Sequence, residues 1–219
     1  MEKIDFGNLE ANIEMLEKSG LLKKKKCLFE IGAGKGVLLN KLLKEGYRIA
    51  GNEVSSGFVD RARELFGKDL PIALTRGIDL PAKSGEIDLA ISFDVLEHIP
   101  DTSGHLKEVK RILKKDGIYF FGVPNKLTNV PFEIFAHRSL CKYREWHCSL
   151  YTAWGICRVL HRAGFSDIKF HRSNFLTPFF IDKFSRHFGK KALLLFKILN
   201  PNWLPVWLRP TLYISARKK

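Results

Sequence analysis

A short glycine-rich segment near the start of the chain constrains the fold more than any other feature. The apolar run that begins at Cys27 reaches the acid Glu30, glycines follow at alternate positions from Gly32 to Gly36, and a helical apolar pattern begins at Val37. This order predicts a strand, a tight turn and a helix, because glycine lets the backbone turn sharply or approach a ligand closely. The unpaired N–H groups at the start of such a helix indicate a ligand site.

Known ligand sites of this kind differ in their glycine spacing. A phosphate-binding P-loop requires Gly, four residues and then Gly-Lys-Ser/Thr, but Phe29 occupies the first glycine position and Gly36 follows Lys35. A dinucleotide-binding turn requires G-x-G-x-x-G, and Val37 stands at the third glycine position. The pattern that remains is acid-x-G-x-G-x-G.

Apolar runs of strand length alternate with helical patterns over the following residues. This alternation predicts an α/β fold with a parallel sheet and helices on both faces. Ligands of such sheets bind at the carboxyl ends of the strands, where the strand order reverses. After the first strand, we predict strands at residues 47–52, 72–75, 87–92, 118–123, 165–171 and 211–216, helices at 5–22, 37–44, 57–66 and 150–163, and a loop at 126–149.

Three segments at predicted strand ends carry polar groups. Glu53 ends the second strand at the distance from the glycine turn where a carboxylate accepts hydrogen bonds from ribose hydroxyls, which predicts an adenosine-containing ligand. The loop at residues 77–81 follows the third strand. The segment at residues 93–100, with the sequence Phe-Asp-Val-Leu-Glu-His-Ile-Pro, follows the fourth.

The segments at residues 30–36 and 93–100 together resemble the ubiquinone-biosynthesis-like, or type 11, branch of class I S-adenosylmethionine-dependent methyltransferases. The resemblance covers residues 27–123 well and residues 150–171 more loosely. It implies a Rossmann-like, mostly parallel sheet of seven strands, S-adenosylmethionine as methyl donor and S-adenosylhomocysteine as product. The cofactor-binding residues that it implies are Glu30, Gly32, Ala33, Gly34, Gly36, Glu53, Val54, Ile78, Asp79, Phe93, Asp94, Val95 and Leu96.

The resemblance also implies roles for some of these residues. Glu30 contacts the amino-acid portion of the cofactor. An acid in the loop at residues 77–81 binds the adenine amine. Ile78 occupies the position where this acid is common, so Asp79, the next residue, is the candidate. Ile78 would then pack on the adenine ring. The acid and histidine at residues 97 and 98 lie near the methyl acceptor.

An acceptor hydroxyl or ammonium must also lose a proton, and a histidine is suited to that task near neutral pH. His98 is the first candidate for this base, His147 the second and His137 the third. The four cysteines lack C-x-x-C spacing, so we predict reduced thiols and no metal site. A dehydrogenase, a nucleic-acid-directed methyltransferase and a non-catalytic binding subunit with the same fold remain as alternatives.

The segment at residues 173–210 is an insertion before the last strand, and it is both aromatic and basic. The net charge of the chain is +14, and residues 175–219 carry nine Lys or Arg against the single acid Asp182. Three interpretations remain open: a lid over a small or lipid-linked acceptor, a peripheral contact of residues 175–209 with an anionic membrane, and nucleic-acid binding, which lacks a recognisable module.

The chain as a whole has 219 residues, of which 45% are hydrophobic, and this predicts a single domain at residues 1–219. Residues 1–22 are predicted to form a helical cover over the ligand site or to pack on the sheet. The chain shows neither a signal-peptide pattern nor an apolar stretch of about 18 residues. We therefore expect a cytoplasmic protein, with contact at the inner face of a membrane under the second interpretation of the insertion.

Overall fold

A seven-stranded sheet organises the fold. The computed structural model describes residues 8–141 and 143–219. The strand order is β3-β2-β1-β4-β5-β7-β6, and only β7 runs antiparallel to its neighbours. The predicted α/β, Rossmann-like, mostly parallel sheet is therefore confirmed. The strands are β1 (Cys27–Ile31), β2 (Arg48–Glu53), β3 (Ile72–Leu74), β4 (Ile87–Phe93), β5 (Leu113–Pro124), β6 (Phe165–His171) and β7 (Thr211–Lys218).

The order of the strands reverses between β1 and β4. From β1 the chain moves outward to β2 and β3, then returns to β4 on the other side of β1. The register aligns Glu30 of β1 with Gly51 of β2 and with Ile91 of β4. Because the connections leave in opposite directions at this point, a crevice opens at the carboxyl ends of β1 and β4.

Helices cover both faces of the sheet. On one face, residues of α1, α2 and α3 pack with buried residues such as Leu28 and Leu89; on the other, residues of α4 and α7 pack with Phe29 and Tyr119. The sheet is thus buried on both sides, as its near-continuous apolar strands predict. The helices are α1 (Leu9–Lys18), α2 (Val37–Lys44), α3 (Ser56–Phe66), α4 (Thr102–Ile112), α5 (Lys126–His137), α6 (Tyr143–Trp146), α7 (Ala153–Arg162) and α8 (Pro178–Ile198).

The prediction of a loop at residues 126–149 was wrong, since α5 and α6 occupy most of it. Asn125 follows β5 directly and caps α5, because its side chain accepts a hydrogen bond from the Leu127 N–H at 3.1 Å. Two predicted helices also have different boundaries in the structure. The helix predicted at residues 150–163 begins only after the cap at Thr152, and α1 spans less than residues 5–22, of which 5–7 lie outside the described residues.

The insertion contains one long helix and two short 3-10 turns. Thr177 caps α8, and the helix is kinked at Gly189, where φ is 81° and ψ is 166°. Aromatic rings follow one face of α8, since the ring centroids of Phe180 and Phe184 lie 5.7 Å apart and those of Phe184 and Phe188 lie 4.5 Å apart. Among the described residues, no helix combines the length and hydropathy needed to span a bilayer.

Candidate active site

The glycine turn between β1 and α2 lies at the floor of the crevice. Gly32, Gly34 and Gly36 all have positive φ, a region that side chains disfavour. A Cβ on Gly32 would lie 2.4 Å from Cγ2 of Val95, whereas a Cβ on Gly34 would have no atom within 4 Å. The backbone of Gly34 is therefore open to the crevice, and Gly32 permits close approach of the loop after β4.

Glu53, at the end of β2, holds this turn. Its Oε2 accepts a hydrogen bond from the Gly34 N–H at 2.9 Å, and its Oε1 accepts from the N–H groups of Val54 and Ser55, each at 2.9 Å. A carboxylate has about four acceptor positions, so one remains for a hydroxyl of a ligand. The carboxylate thus fixes the turn and can still bind a ribose.

Glu30 is buried beside the turn with one oxygen unused. No described group forms a hydrogen bond to its Oε2. Burial raises the pKa of the Glu30 carboxyl to about 8; a hydrogen bond with the backbone of Leu39 opposes this shift and the charge of Glu53 adds to it. An orphaned carboxyl oxygen of this kind is suited to a cationic amino group in the crevice.

A cleft of about 860 Å³ occupies the crevice. Three predicted residues lie outside its lining. Leu96 is fully buried and Asp79 is exposed. A Cβ on Gly36 would lie 3.2 Å from the Cβ of Ala62, so Gly36 permits close packing onto α3. The predicted residues that line the cleft are Glu30, Gly32, Ala33, Gly34, Glu53, Val54, Ile78, Phe93, Asp94 and Val95.

The sequence analysis missed several polar residues of this cleft. Asn52 and Thr75 line it, and the buried Asn52 Oδ1 and Thr75 Oγ1 have no hydrogen-bond partner among the described groups. Asn12 reaches the cleft from α1, and its Oδ1 accepts a hydrogen bond from the Tyr213 hydroxyl at 2.6 Å. For Asn52 a signal existed, because a polar residue near the end of a buried strand faces the ligand edge of the sheet.

A second cavity, of about 380 Å³, adjoins the cleft. Asp94 and His98 line both spaces. Asn8, before α1, and Thr177, before α8, meet beside it, where the Thr177 hydroxyl donates a hydrogen bond to the Asn8 Oδ1 at 2.9 Å. One wall of the cavity is aromatic, with side chains from α5 and from the insertion: Phe132, Phe175, Phe179, Phe180 and Phe184.

The polar end of this second cavity contains Glu97, His98 and His147. The ring centroids of the two histidines lie 5.3 Å apart, and Nε2 of His98 lies 3.9 Å from Oε1 of Glu97. Backbone pairing brings His147 here, because the Ser149 N–H donates to the Glu97 carbonyl at 3.0 Å. The third candidate, His137, lies outside both linings and pairs with Glu133 at 3.0 Å.

Burial shifts the protonation of this polar end. Desolvation, and then the charge of Asp94, raise the pKa of the Glu97 carboxyl well above its usual range. Desolvation, and then the neighbouring His98, lower the pKa of His147. Asp94 is exposed to the open cleft, yet the surrounding protein desolvates its carboxyl enough to raise its pKa, against a hydrogen bond from Asn12 and the charge of His98. Burial therefore favours the protonated form of Glu97 and the neutral form of His147.

The same three side chains could hold a metal ion, although the sequence analysis predicted no metal site. One ligand atom from each of Glu97, His98 and His147 lies within 4.8 Å of the others. The Glu97 Oε2 and the His147 Nδ1 are buried without a hydrogen-bond partner among the described residues. Nitrogen and carboxylate donors suit several divalent cations.

Comparisons with known proteins agree with this geometry. Residues 1–169 match the methyltransferase domain family. A ubiquinone biosynthesis O-methyltransferase of Actinobacillus pleuropneumoniae is 28% identical over 132 residues, which are 57% of this chain and 53% of that protein. The chain thus spans about half the length of the curated relatives that it matches.

Solved methyltransferase structures share the fold. A possible histamine N-methyltransferase from Thermotoga maritima superposes with a TM-score of 0.66 at 20% identity, covering 95% of this chain and 89% of that one. A phosphoethanolamine N-methyltransferase of Haemonchus contortus, bound to S-adenosyl-L-methionine, superposes with a TM-score of 0.68 at 19% identity, covering 95% of this chain and 52% of that one. With a family match over most of its length and the class I methyltransferase fold, this chain belongs to the methyltransferase domain family.

Proposed function

We propose that this protein transfers a methyl group from S-adenosylmethionine to an oxygen or nitrogen of a small or lipid-linked acceptor. The observation that carries the proposal is the meeting of two cavities at Asp94 and His98. A donor in the cleft and an acceptor in the second cavity would face each other at that junction. Holding two reactants in line is the main task of such a protein, because proximity alone supplies much of the rate.

The cleft suits the donor on chemical grounds. Its buried, orphaned oxygen on Glu30 fits an ammonium group, and the remaining acceptor position of Glu53 fits a ribose hydroxyl. The open backbone at Gly34 leaves room for a ligand against the turn. When bound, S-adenosylmethionine supplies an electrophilic methyl group on a sulfonium leaving group.

The second cavity indicates the kind of acceptor. Its aromatic wall suits an apolar ring or chain, whereas its polar end suits a hydroxyl or amine. Asn129 adds a buried side-chain oxygen without a described partner at the cavity. The matched relatives named for O-methyl transfer support an oxygen acceptor over a nitrogen.

We assign His98 as the first candidate for the general base and His147 as the second. His98 lines both cavities, so it is the closer of the two to the methyl-transfer junction. His147 lines only the acceptor cavity, and its lowered pKa keeps the ring neutral and able to accept a proton. The protonated Glu97 would donate a hydrogen bond to the acceptor oxygen or to a histidine.

A cation at Glu97, His98 and His147 is a second candidate mechanism, which the convergence of their ligand atoms favours. The histidines would then bind the ion, and the ion would lower the pKa of an acceptor hydroxyl. Chelation separates the two mechanisms. Methyl transfer that survives dialysis against a chelator supports a histidine base, and transfer that is lost and then restored by Mg²⁺ or Zn²⁺ supports the cation.

The insertion supports the lid interpretation, because Phe180 and Phe184 of α8 line the acceptor cavity.

Nucleic acid is the weaker alternative acceptor. The ring of Phe184 stacks on that of Phe196, and the ring of Phe180 contacts both at tilted angles, so these rings are largely engaged within the protein. Bases stack on exposed aromatic faces, which these residues do not offer.

Calorimetry tests the proposal. We expect S-adenosylmethionine and S-adenosylhomocysteine to bind with micromolar affinity and NAD to give no heat; absence of heat with both sulfur ligands would refute the donor. Tritium transfer from labelled donor to a panel of phenols, catechols and amines then tests catalysis. Donor binding without transfer to any member of the panel would favour the non-catalytic binding subunit, and stabilisation by NAD alone would favour a dehydrogenase.

A further inference from the structure

We propose that the outer face of the second half of α8 docks this protein on an anionic lipid bilayer. The outer face consists of Lys191, Leu194, Leu195, Ile198 and Leu199. The inference rests on the proposed function, because docking would present a lipid-linked acceptor to the second cavity. It goes further by assigning the contact to particular side chains.

The second half of α8 is apolar on both of its sides. On the inner side, Leu193 is buried and the ring of Phe196 stacks on that of Phe184 at 5.0 Å. On the outer side, Leu195 is 60% exposed and Ile198 is 71% exposed, with Leu194 and Leu199 at similar values. Exposed apolar side chains clustered on one helix face mark an interaction surface, so the outer face calls for a covering surface.

Basic side chains border this outer face. Lys190, Lys191 and Lys197 are exposed, and none of them has a carboxylate within 4.0 Å among the residues that the structure describes. The other cations of α8 are already paired, Lys183 with Glu133 and Arg186 with Asp182. Unpaired lysines beside exposed leucines match the charge of anionic headgroups above acyl chains.

A tryptophan follows the helix directly. Trp203 is 71% exposed, and Trp207, four residues further on, contacts Trp154 with ring centroids 5.4 Å apart. Tryptophan is enriched where a protein meets the boundary between headgroups and acyl chains, because its ring is apolar and its N–H is polar. We therefore include Trp203, which follows α8 in the chain, in the docking surface.

The docking surface is connected to the acceptor cavity through a single layer of rings. Phe184 lines the cavity and stacks on Phe196. Phe196 lies in the same turn of α8 as Leu195 and Ile198 of the outer face. The kink at Gly189 separates the half of α8 that lines the cavity from the half that we assign to the bilayer. An apolar acceptor leaving the bilayer would thus meet the cavity wall on the same helix.

A bilayer fits this face better than a second copy of the chain. The net charge of the chain is +14, and pairing two outer faces would place three lysines of each copy against three of the other. Like charges brought together in this way oppose association. Anionic lipids remove that repulsion, and they leave the leucines to enter the acyl region.

Vesicle flotation tests the docking surface without any acceptor or donor. We expect the wild-type protein to float with phosphatidylcholine vesicles that contain about 30% phosphatidylglycerol and to float poorly with pure phosphatidylcholine. The double variant Leu195→Glu/Ile198→Glu should lose about tenfold or more in vesicle affinity. The control is Leu74→Glu, which places one of these two charges on an exposed leucine of β3 and should float as wild type does.

The lysines provide a separate readout. Replacing Lys190, Lys191 and Lys197 by Ser should lower affinity for the anionic vesicles by about fivefold per lysine and leave the weak binding to neutral vesicles unchanged. Equal flotation of the wild type and of Leu195→Glu/Ile198→Glu would overturn the proposal. Absence of flotation by the wild-type protein would also overturn it. A wild-type dimer that becomes a monomer in Leu195→Glu/Ile198→Glu would overturn it in favour of self-association.

Calorimetry with S-adenosylmethionine separates this proposal from the proposed function. Flotation that persists in a protein that binds no donor would remove the methyl-transfer proposal and keep the docking surface. Donor binding with wild-type affinity in a protein that does not float would remove the docking surface alone. Leu195→Glu/Ile198→Glu should bind the donor as wild type does, since neither residue lines the cleft.

Discussion

The cleft that we assign to the methyl donor and the cavity that we assign to the acceptor are neighbours, yet they are built in different ways. The cleft is formed at the ends of adjacent parallel strands, largely by backbone and by carboxyl groups such as Glu30 and Glu53. The acceptor cavity is formed by side chains from places as distant in sequence as Asn8, His98, Phe184 and Tyr213. A site of the first kind can be read from short motifs, whereas a site of the second kind depends on packing between elements.

This difference separates two kinds of vulnerability. Backbone conformation defines the cleft, so a single Cβ at the glycine turn should damage donor binding. Side-chain shape and protonation define the acceptor cavity, so substitutions there should change rate or acceptor affinity and leave donor binding intact. The following variants test that separation, from the largest expected effect to the smallest.

Loss of the proposed base should have the largest effect, and it should fall mainly on the rate of methyl transfer. Replacing His98 by Ala should lower kcat by about 100-fold to 10,000-fold, because a general base contributes about that much. His147→Ala should lower it less, since His147 lines only the acceptor cavity. Tritium transfer from labelled S-adenosylmethionine measures the rate, and calorimetry should give a much smaller loss of donor affinity, because His98 also lines the cleft.

His137→Ala is the matched control for the base, because its ring lies outside both cavities and pairs with Glu133. We expect wild-type rates from this variant. If all three histidine variants turn over as wild type does, the base assignment fails. If His98→Ala loses donor binding as strongly as rate, the separation of the two sites fails.

Glu30 tests the donor side through stability. Its folded-state pKa of about 8 lies above the usual carboxyl pKa of 4.5, so the native protein binds more protons than the unfolded chain between these values. The free energy of unfolding should therefore fall as pH rises through that window, by roughly 2 to 5 kcal/mol. Glu30→Gln is neutral at every pH and should not show this component of the decline.

Urea unfolding of the donor-free protein at about pH 5 and about pH 9 measures the difference between Glu30→Gln and wild type. Parallel pH dependence of the two proteins would show that the Glu30 carboxyl is already ionised in the empty cleft. The donor cleft would then lack the desolvated acid that distinguishes it from an ordinary surface groove.

Gly32 tests whether backbone shape decides donor binding. An alanine Cβ would lie 2.4 Å from Val95 at a φ of 70°, so the turn must shift. We expect Gly32→Ala to weaken S-adenosylmethionine binding by about tenfold to 100-fold in calorimetry. Gly20→Ala is the matched control, because Gly20 has a φ of 68° and no atom within 4 Å of the added Cβ. Equal donor affinity in the two variants would contradict the prediction.

Phe184 should give the smallest effect, on acceptor binding alone. Removing its ring from the cavity wall in Phe184→Ala should raise the acceptor KM by about tenfold with little change in donor affinity. Phe184→Leu should restore most of the loss. Phe135→Ala removes an exposed ring that lines neither cavity, and its KM should match wild type. A tenfold loss in donor affinity from Phe184→Ala would mean that the two sites are coupled through α8.

The accuracy of the sequence-based predictions follows the same division. The fold was predictable because alternating strand and helix patterns permit few arrangements. Most of the predicted cleft residues line the cleft, since Glu30, Glu53 and Asp94 each lie at or beside the carboxyl end of a parallel strand. Asp79 and Leu96 lie outside it, because position in a loop does not fix the direction of a side chain. Asn12 was missed, since nothing local marks a helix residue as facing a distant strand.

The loop predicted at residues 126–149 was wrong for a related reason. Pro131 and the absence of a strong apolar stripe concealed α5, which has no buried residue and packs against the insertion through ring contacts such as that of Phe132 with Phe188 at 5.7 Å. A helix stabilised by contacts with a later segment carries a weak periodic signal of its own.

The sequence by itself determined the parallel sheet, the glycine turn and the acids at the strand ends. These features are local, because strand periodicity and glycine backbone freedom act over a few residues. Only the tertiary structure decided that His147 lies beside His98, that the rings of α8 form a cavity wall, and that Leu195 and Ile198 face outward. Each depends on where distant segments pack, and side-chain direction and burial have no counterpart in local sequence until the chain has folded.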